Sequence, residues 1–209
     1  MTEPERPTPG AAPYRYEGLT PCEPTDPSIA HLGGNMLEGD MFTFAPTVFD
    51  YLVDRFGVNS VLDLGSGLGH VAWYFSKRGC KVVAIDGLDE NIVKAVYPTV
   101  KLDLSRTRVV TRVDLVHCQE VVEHVDEIHL DNLLSSLTTG RIIVMTHAVP
   151  GQEGHHHVNC QPTEYWVNHL AARGCLVLSE DTQRIRRMAE ADGAVYLART
   201  GLVLANGRW

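Results

Sequence analysis

The residues best suited to chemistry fall in two short runs, Gln119-Glu120-Val121-Val122-Glu123-His124 and His155-His156-His157. Glu120 and Glu123 are three apart and His124 is adjacent, so one helical turn would aim all three side chains at a common point. Two carboxylates with one or two imidazoles could share a divalent cation. Such a mixed set suits Mn²⁺, Fe²⁺, Co²⁺ or Zn²⁺ at least as well as Mg²⁺. An acid–histidine pair alone can equally serve to hold a loop by hydrogen bonding. Three consecutive imidazoles inside a chain rarely serve packing, which favours the metal. A histidine left over, His155 or His156, could take a proton from a reacting group. His147 is a poorer candidate for that task.

A second constellation lies upstream, in Val61-Leu62-Asp63-Leu64-Gly65-Ser66-Gly67-Leu68-Gly69. An apolar strand ends in a turn whose glycines let backbone approach a ligand, and helix-forming residues follow at once. A lone GxGxxG fits any dinucleotide binder. Three acids sharpen it. Asp63 precedes the glycines, Asp86 ends the next apolar run where a carboxylate can accept ribose hydroxyls, and Asp103 closes a third, where an adenine amino group would sit. NAD is the competing ligand for this pattern.

To position these residues the chain must alternate strands and helices, as in a parallel sheet covered on both faces. Periodicity predicts strands at Ser60–Leu64, Lys81–Ile85, Val100–Leu102, Val113–His117, Arg141–Thr146, Cys175–Ser179 and Val195–Ala205. Helices are expected at Pro46–Phe56, Val71–Arg78, Glu90–Val96, Ile128–Leu137 and from Pro162 to Arg173, with a basic helix between the last two strands. The long loop 147–161 carries the histidines. Trp73, Tyr74, Tyr165 and Trp166 are read as packing residues, and Asn159 and Gln161 as loop or acceptor contacts. Residues 1–27 hold seven of the eleven prolines. Residues 1–13 are expected to be a disordered leader, and 14–45 an irregular segment that lies as a lid over the site, with His31, Asn35 and Asp40 facing it. Residues 14–209 then make one domain.

The form VLDLGSGLG, with an acid at the next strand end, resembles class I S-adenosylmethionine-dependent methyltransferases from about Val48 to the C-terminus. In these enzymes, as here, the acid stands two residues before the first glycine, which disfavours NAD. The resemblance implies an α/β fold, a Rossmann-like seven-stranded, mostly parallel sheet with helices on both faces and a reversed last strand. It implies S-adenosylmethionine in the crevice beyond the strands' carboxyl ends, with Asp63, Gly65, Ser66, Gly67, Asp86, Gly87, Asp103 and Gln119 around it. ExxEH with a downstream histidine is similar to the metal site of small-RNA 2′-O-methyltransferases and to the matching region of ubiquinone-biosynthesis O-methyltransferases. That likeness implies Glu120, Glu123, His124 and His157 as ligands, with His156 as the fallback. His155 and His156 then remain as catalytic bases.

Composition narrows the acceptor. The net charge is −8, from 18 Lys and Arg against 26 Asp and Glu. Nucleic-acid binders usually carry a basic footprint. The cluster Arg184, Arg186 and Arg187 is read as one solvated helix face. The five cysteines are scattered without a CxxC pair, which argues against a zinc ribbon or a disulfide framework. Apolar runs such as Ile142–Met145 are strand-sized, far below the roughly 20 residues of a membrane span. With a polar N-terminus, these features place the protein in the cytoplasm. The expected function is metal-assisted O-methylation of a small hydroxyl-bearing molecule, a sugar-like diol or catechol. The rivals are N- or C-methylation of a small carboxylate or keto acid, 2′-O-methylation of an RNA 3′ end, and a non-catalytic cofactor-binding module. Oligomeric state is not legible.

Overall fold

Pro46, with its fixed φ, opens helix α1 (Pro46–Phe56), whose Val48, Phe49 and Leu52 are fully buried. The computed structural model of the chain describes residues 19–209, so the expected leader at 1–13 and the first residues of the expected lid lie outside the described residues. From α1 the chain runs through β1 (Ser60–Leu64), α2 (His70–Lys77), β2 (Lys81–Asp86), α3 (Asp89–Lys94), β3 (Thr99–Lys101) and β4 (Val113–Cys118). Then come α4 (Leu130–Leu137), β5 (Gly140–Met145), α5 (Thr163–Ala172), β6 (Cys175–Val177), α6 (Ser179–Asp192), α7 (Val195–Thr200) and β7 (Leu202–Asn206).

The seven strands lie in the order β3-β2-β1-β4-β5-β7-β6. All neighbours pair in parallel except β7, which is antiparallel to both β5 and β6. This is the Rossmann-like α/β sheet that the strand–helix alternation predicts. The sheet separates two cores. One gathers Leu62, Val116, Ile143 and Leu204 with α4 and α5, around the fully buried Trp166. The other gathers Val61, Leu115, Val144 and Val203 with α1, α2, α6 and α7. Register sets Asp63 of β1 beside His117 of β4, and Cys118 of β4 beside Met145 of β5. The carboxyl ends of β1, β4 and β5 are therefore adjacent, where the chemistry-bearing turns emerge. Among the described residues, no helix is long and apolar enough to cross a membrane.

Three local expectations need correction. Val195–Ala205 is not one strand: Val195–Thr200 forms α7, and only Leu202–Asn206 is extended. Its apolar residues Val195, Leu197 and Ala198 fit either period over so short a run, and packing of α7 on α6 decides for helix. Trp73 does not pack into the sheet; it is 43% exposed, with Lys77 over its ring. The turn after β4 is not α-helical. Glu120 has φ 54, and only Val122–His124 form a single 3-10 turn.

Candidate active site

The turn leaving β1 is held by the Ser66 amide donating to the Ile85 carbonyl at 2.9 Å. Gly65 has φ 67, and a Cβ there would lie 2.3 Å from Val121 Cγ2, so only glycine lets this turn pass the β4 loop. Asp86 ends β2 with both oxygens engaged. Oδ2 accepts from the Gly67 amide at 2.8 Å, and Oδ1 from the Leu88 amide at 2.9 Å and from Asn91 Nδ2 at 3.1 Å. Burial nevertheless raises its pKa, because these bonds only partly offset desolvation. Beyond β3, Asp103 Oδ1 accepts from the Ser105 amide and hydroxyl, at 2.9 and 2.6 Å. His31 Nε2 donates to Asp103 Oδ2 at 3.0 Å. Burial opposes the charge of Asp103, but the bonds from Ser105 and His31 together prevail and lower its pKa.

Asp63 and His117 form a buried pair, Nδ1 donating to Oδ1 at 2.7 Å, and His117 Nε2 lies 3.3 Å from Gln119 Oε1. These residues, with Gly65, Ser66, Gly67, Asp86, Gly87 and Asp103, line a cavity of about 620 Å³. Asp63 Oδ2, Ser66 Oγ and Gln119 Nε2 on its wall are buried without a protein partner. Buried polar groups are rarely left so, and a bound molecule with polar groups of its own would complete them. Every sequence-predicted cofactor residue therefore borders one cavity, and the donor set fits a nucleoside with a charged tail.

The other end of the cavity is built by the loops after β4 and β5. The Glu120 amide donates to Thr146 Oγ1, which donates in turn to Glu120 Oε1, both at 2.8 Å. The amides of Val158 and Asn159 donate to the Glu123 carbonyl at 3.1 and 3.0 Å, and Asn159 Nδ2 to the Val125 carbonyl at 3.2 Å. This clamp sets the His157 ring against that of His124, with centroids 5.0 Å apart. His157 Nδ1 donates to the Gln152 carbonyl at 3.2 Å, which leaves Nε2 as the lone-pair nitrogen.

Glu123, His124 and His157 each offer a ligand atom within 4.8 Å of the others. Glu120 is not in that trio; Thr146 holds its carboxyl instead. Glu123 is fully buried, and neither of its oxygens, nor His124 Nδ1, has a partner. Burial and the neighbouring Glu120 push the Glu123 pKa well up, and burial brings Glu120 to about 7. Burial, aided by His157, His156 and His155, brings His124 down to about 3. Each group thus resists its own charged form, as an acid–imidazole cluster would before a cation joins it.

The described residues before α1 touch both ends. A Cβ on Gly34 would lie 2.7 Å from His124 Cε1, and its φ of +105 also favours glycine. Asn35 Nδ2 donates to Asn91 Oδ1 at 2.8 Å, and so reaches the Asp86 network. His155 Nε2 donates to the Ala30 carbonyl at 2.9 Å, and its residue lines the cavity. His156, at φ 50, is not among the lining residues; its ring lies 6.1 Å from that of His31. His147 is buried away from the cavity, its Nε2 3.0 Å from Thr163 Oγ1. Asn35 and Asp40 border the cavity with His31. Sequence reasoning missed His117, Asn91, Thr146 and Tyr196, which also lines it. The signal for His117 was a polar residue in an otherwise apolar strand; Tyr196 lay in the segment misread as extended.

A family model described as a methyltransferase domain matches residues 37–196. The chain belongs to this methyltransferase family. Among solved structures the methyltransferase is similar to the sugar N-methyltransferase KedS8 from Streptoalloteichus sp, at 15% identity over 80% of this chain and 87% of that one, with a TM-score of 0.58. The magnesium protoporphyrin IX methyltransferase of Synechocystis with bound S-adenosylmethionine matches at 17% identity, 64% and 68% coverage and a TM-score of 0.51. The methyltransferase domain of bacterial CtHen1-CN matches at 17%, 66% and 88%, with a TM-score of 0.53. No curated protein matches the chain at a significant level. The family and the fold together make this chain an S-adenosylmethionine-dependent methyltransferase.

Proposed function

We propose that this methyltransferase methylates a hydroxyl of a small molecule, a sugar-like diol or catechol, with help from a divalent ion held by Glu123, His124 and His157 beside Glu120. The observation that carries this reading is the trio itself: three ligand atoms within 4.8 Å, with both Glu123 oxygens and His124 Nδ1 buried and unpartnered. The cavity of about 620 Å³ suits a small acceptor next to the cofactor. Asp86 would hold the ribose and Asp103 the adenine edge, with Gly65, Ser66, Gly67, Gly87, Asp63 and Gln119 completing the cofactor's bed.

The ion would lower the pKa of an acceptor hydroxyl. The protein's part is alignment and proton removal. His155 Nε2 is spent on the Ala30 carbonyl, so its Nδ1 is the nitrogen free to receive a proton. His156 would act only by movement of the loop. The segment from Leu19 to Phe44 would serve as a lid that keeps water from the methyl group.

Metal content after dialysis against Mn²⁺, Fe²⁺, Co²⁺, Zn²⁺ and Mg²⁺ tests the reading. One equivalent is expected in the native chain, and none after Glu123→Ala with His124→Ala. A full equivalent retained by the double variant sends the ion elsewhere and removes the support for metal assistance. Identification of the methylated atom in the product separates O- from N- and C-transfer.

A further inference from the structure

His117 occupies a strand position that is covered on both faces, where an apolar residue would be the ordinary choice. Phe49 of α1 and Phe75 of α2 box its ring, with centroids 5.8 and 6.3 Å away, and Val144 of β5 lies beside it in register. Its two nitrogens therefore see only Asp63 and Gln119. Nδ1 donates to Asp63 Oδ1 at 2.7 Å, since a carboxylate can only accept; Nε2 lies 3.3 Å from Gln119 Oε1, a hydrogen bond when that nitrogen also carries hydrogen. Asp63, His117 and Gln119 are 1%, 3% and 7% exposed.

A polar trio whose work was structural would use up its own hydrogen-bonding capacity, because a buried group left unpaired costs free energy. This one does not. Asp63 Oδ2 and Gln119 Nε2 remain without partners, as does Ser66 Oγ, and all four residues line the cofactor cavity. The bond to His117 consumes Oδ1 of the acid, and Oε1 of the amide is turned towards the ring. An acceptor of negative charge and a neutral donor are what is left. The charged tail of S-adenosylmethionine carries the complements, an α-ammonium that donates and an α-carboxylate that accepts.

We propose that His117 is a positioning residue for the amino-acid end of the cofactor, setting Asp63 Oδ2 to receive the α-ammonium and Gln119 Nε2 to donate to the α-carboxylate. His117 acts through Asp63 and Gln119. The adenosine end, held around Asp86 and Asp103, does not depend on it.

The test is calorimetric binding of two ligands that differ only in that tail, S-adenosylhomocysteine and 5′-methylthioadenosine. His117→Phe should weaken S-adenosylhomocysteine about tenfold to hundredfold, the loss expected for hydrogen bonds to charged groups. It should change 5′-methylthioadenosine by less than about threefold on the same scale. His117→Asn, which can still donate to Asp63, should recover part of the loss. If the phenylalanine variant does not fold, Gln119→Met leaves the Asp63–His117 pair intact and should show the same selective loss. Equal weakening of both ligands would mean a structural role only, and undiminished S-adenosylhomocysteine affinity in Gln119→Met would overturn the proposal.

Discussion

Glu120→Gln is the perturbation whose size follows most directly from the geometry. The carboxyl of Glu120 has its pKa raised from 4.5 to about 7, first by burial and against the Thr146 hydrogen bond. A group whose folded pKa lies above its unfolded value stabilises the fold below the unfolded pKa, and loses that contribution as pH rises through the folded one. In metal-free protein the stability lost to the raised pKa of Glu120 should be about 1 kcal/mol at pH 5 and about 3 kcal/mol at pH 7.5, at 1.36 kcal/mol per pH unit of displacement. Glutamine keeps an oxygen for the Thr146 hydroxyl and carries no charge. Its advantage over the native residue should therefore grow by about 2 kcal/mol between those pH values. His124 works in the opposite sense. Its pKa is lowered to about 3, so it destabilises the fold as pH falls below the ordinary histidine range, and the native curve alone mixes this with the contributions of Glu120 and Glu123. The difference between variant and native reads Glu120 together with the relief of Glu123, whose pKa Glu120 helps to raise. Urea unfolding of both proteins in chelator at pH 5, 6 and 7.5 measures it. A difference that does not change with pH would refute the burial argument; adding Mn²⁺ should shrink it, because a neighbouring cation restores the value of the native charge.

Two further substitutions probe the two ends of the cavity. Asp86→Asn keeps the shape of the β2 terminus but weakens acceptance from Gly67, Leu88 and any ribose hydroxyl; S-adenosylmethionine affinity should fall about tenfold to hundredfold in calorimetry, and unchanged affinity would sink the ribose assignment. Gly34→Ala puts a methyl 2.7 Å from His124 Cε1 at a φ of +105. It should cost about 1–3 kcal/mol and weaken metal binding, whereas unchanged metal affinity and melting temperature would mean that Gly34 does not rest on His124 in solution.

Much of the cofactor end was legible because strand periodicity and glycine turns are local signals. Ser60–Leu64 and Pro46–Phe56 have the bounds that periodicity predicts, and Asp63, Asp86 and Asp103 reach one cavity because each ends or borders a strand of the same parallel sheet. The histidine-rich end was legible in composition but not in geometry. Convergence of Glu120, Glu123 and His124 was argued from helical spacing, while the chain makes a left-handed residue and a 3-10 turn there. Glu123, His124 and His157 meet because of the Asn159 clamp, a long-range hydrogen bond that has no signature in spacing. His117 was missed for the same reason: its meaning depends on Asp63, 54 residues earlier and adjacent only through strand register.

The segment before α1 touches both ends of the cavity. It is joined to the body by His31 on Asp103, Asn35 on Asn91 and the Ala30 carbonyl under His155, with Leu32 packed where Gly87 leaves room for it. At about 0.5–1.5 kcal/mol net for each hydrogen bond, the three sum to roughly 2–4 kcal/mol before any apolar contact is counted. The same ties link distant chemistry. Under the proposed assignments, a ligand that takes Asp103 from His31 would weaken one anchor of the segment that also brings Gly34 to His124, and cofactor binding would be coupled to cation binding. The sign would follow from which contacts survive: a cofactor that fits beneath the segment would strengthen cation binding, and one that displaces His31 would weaken it.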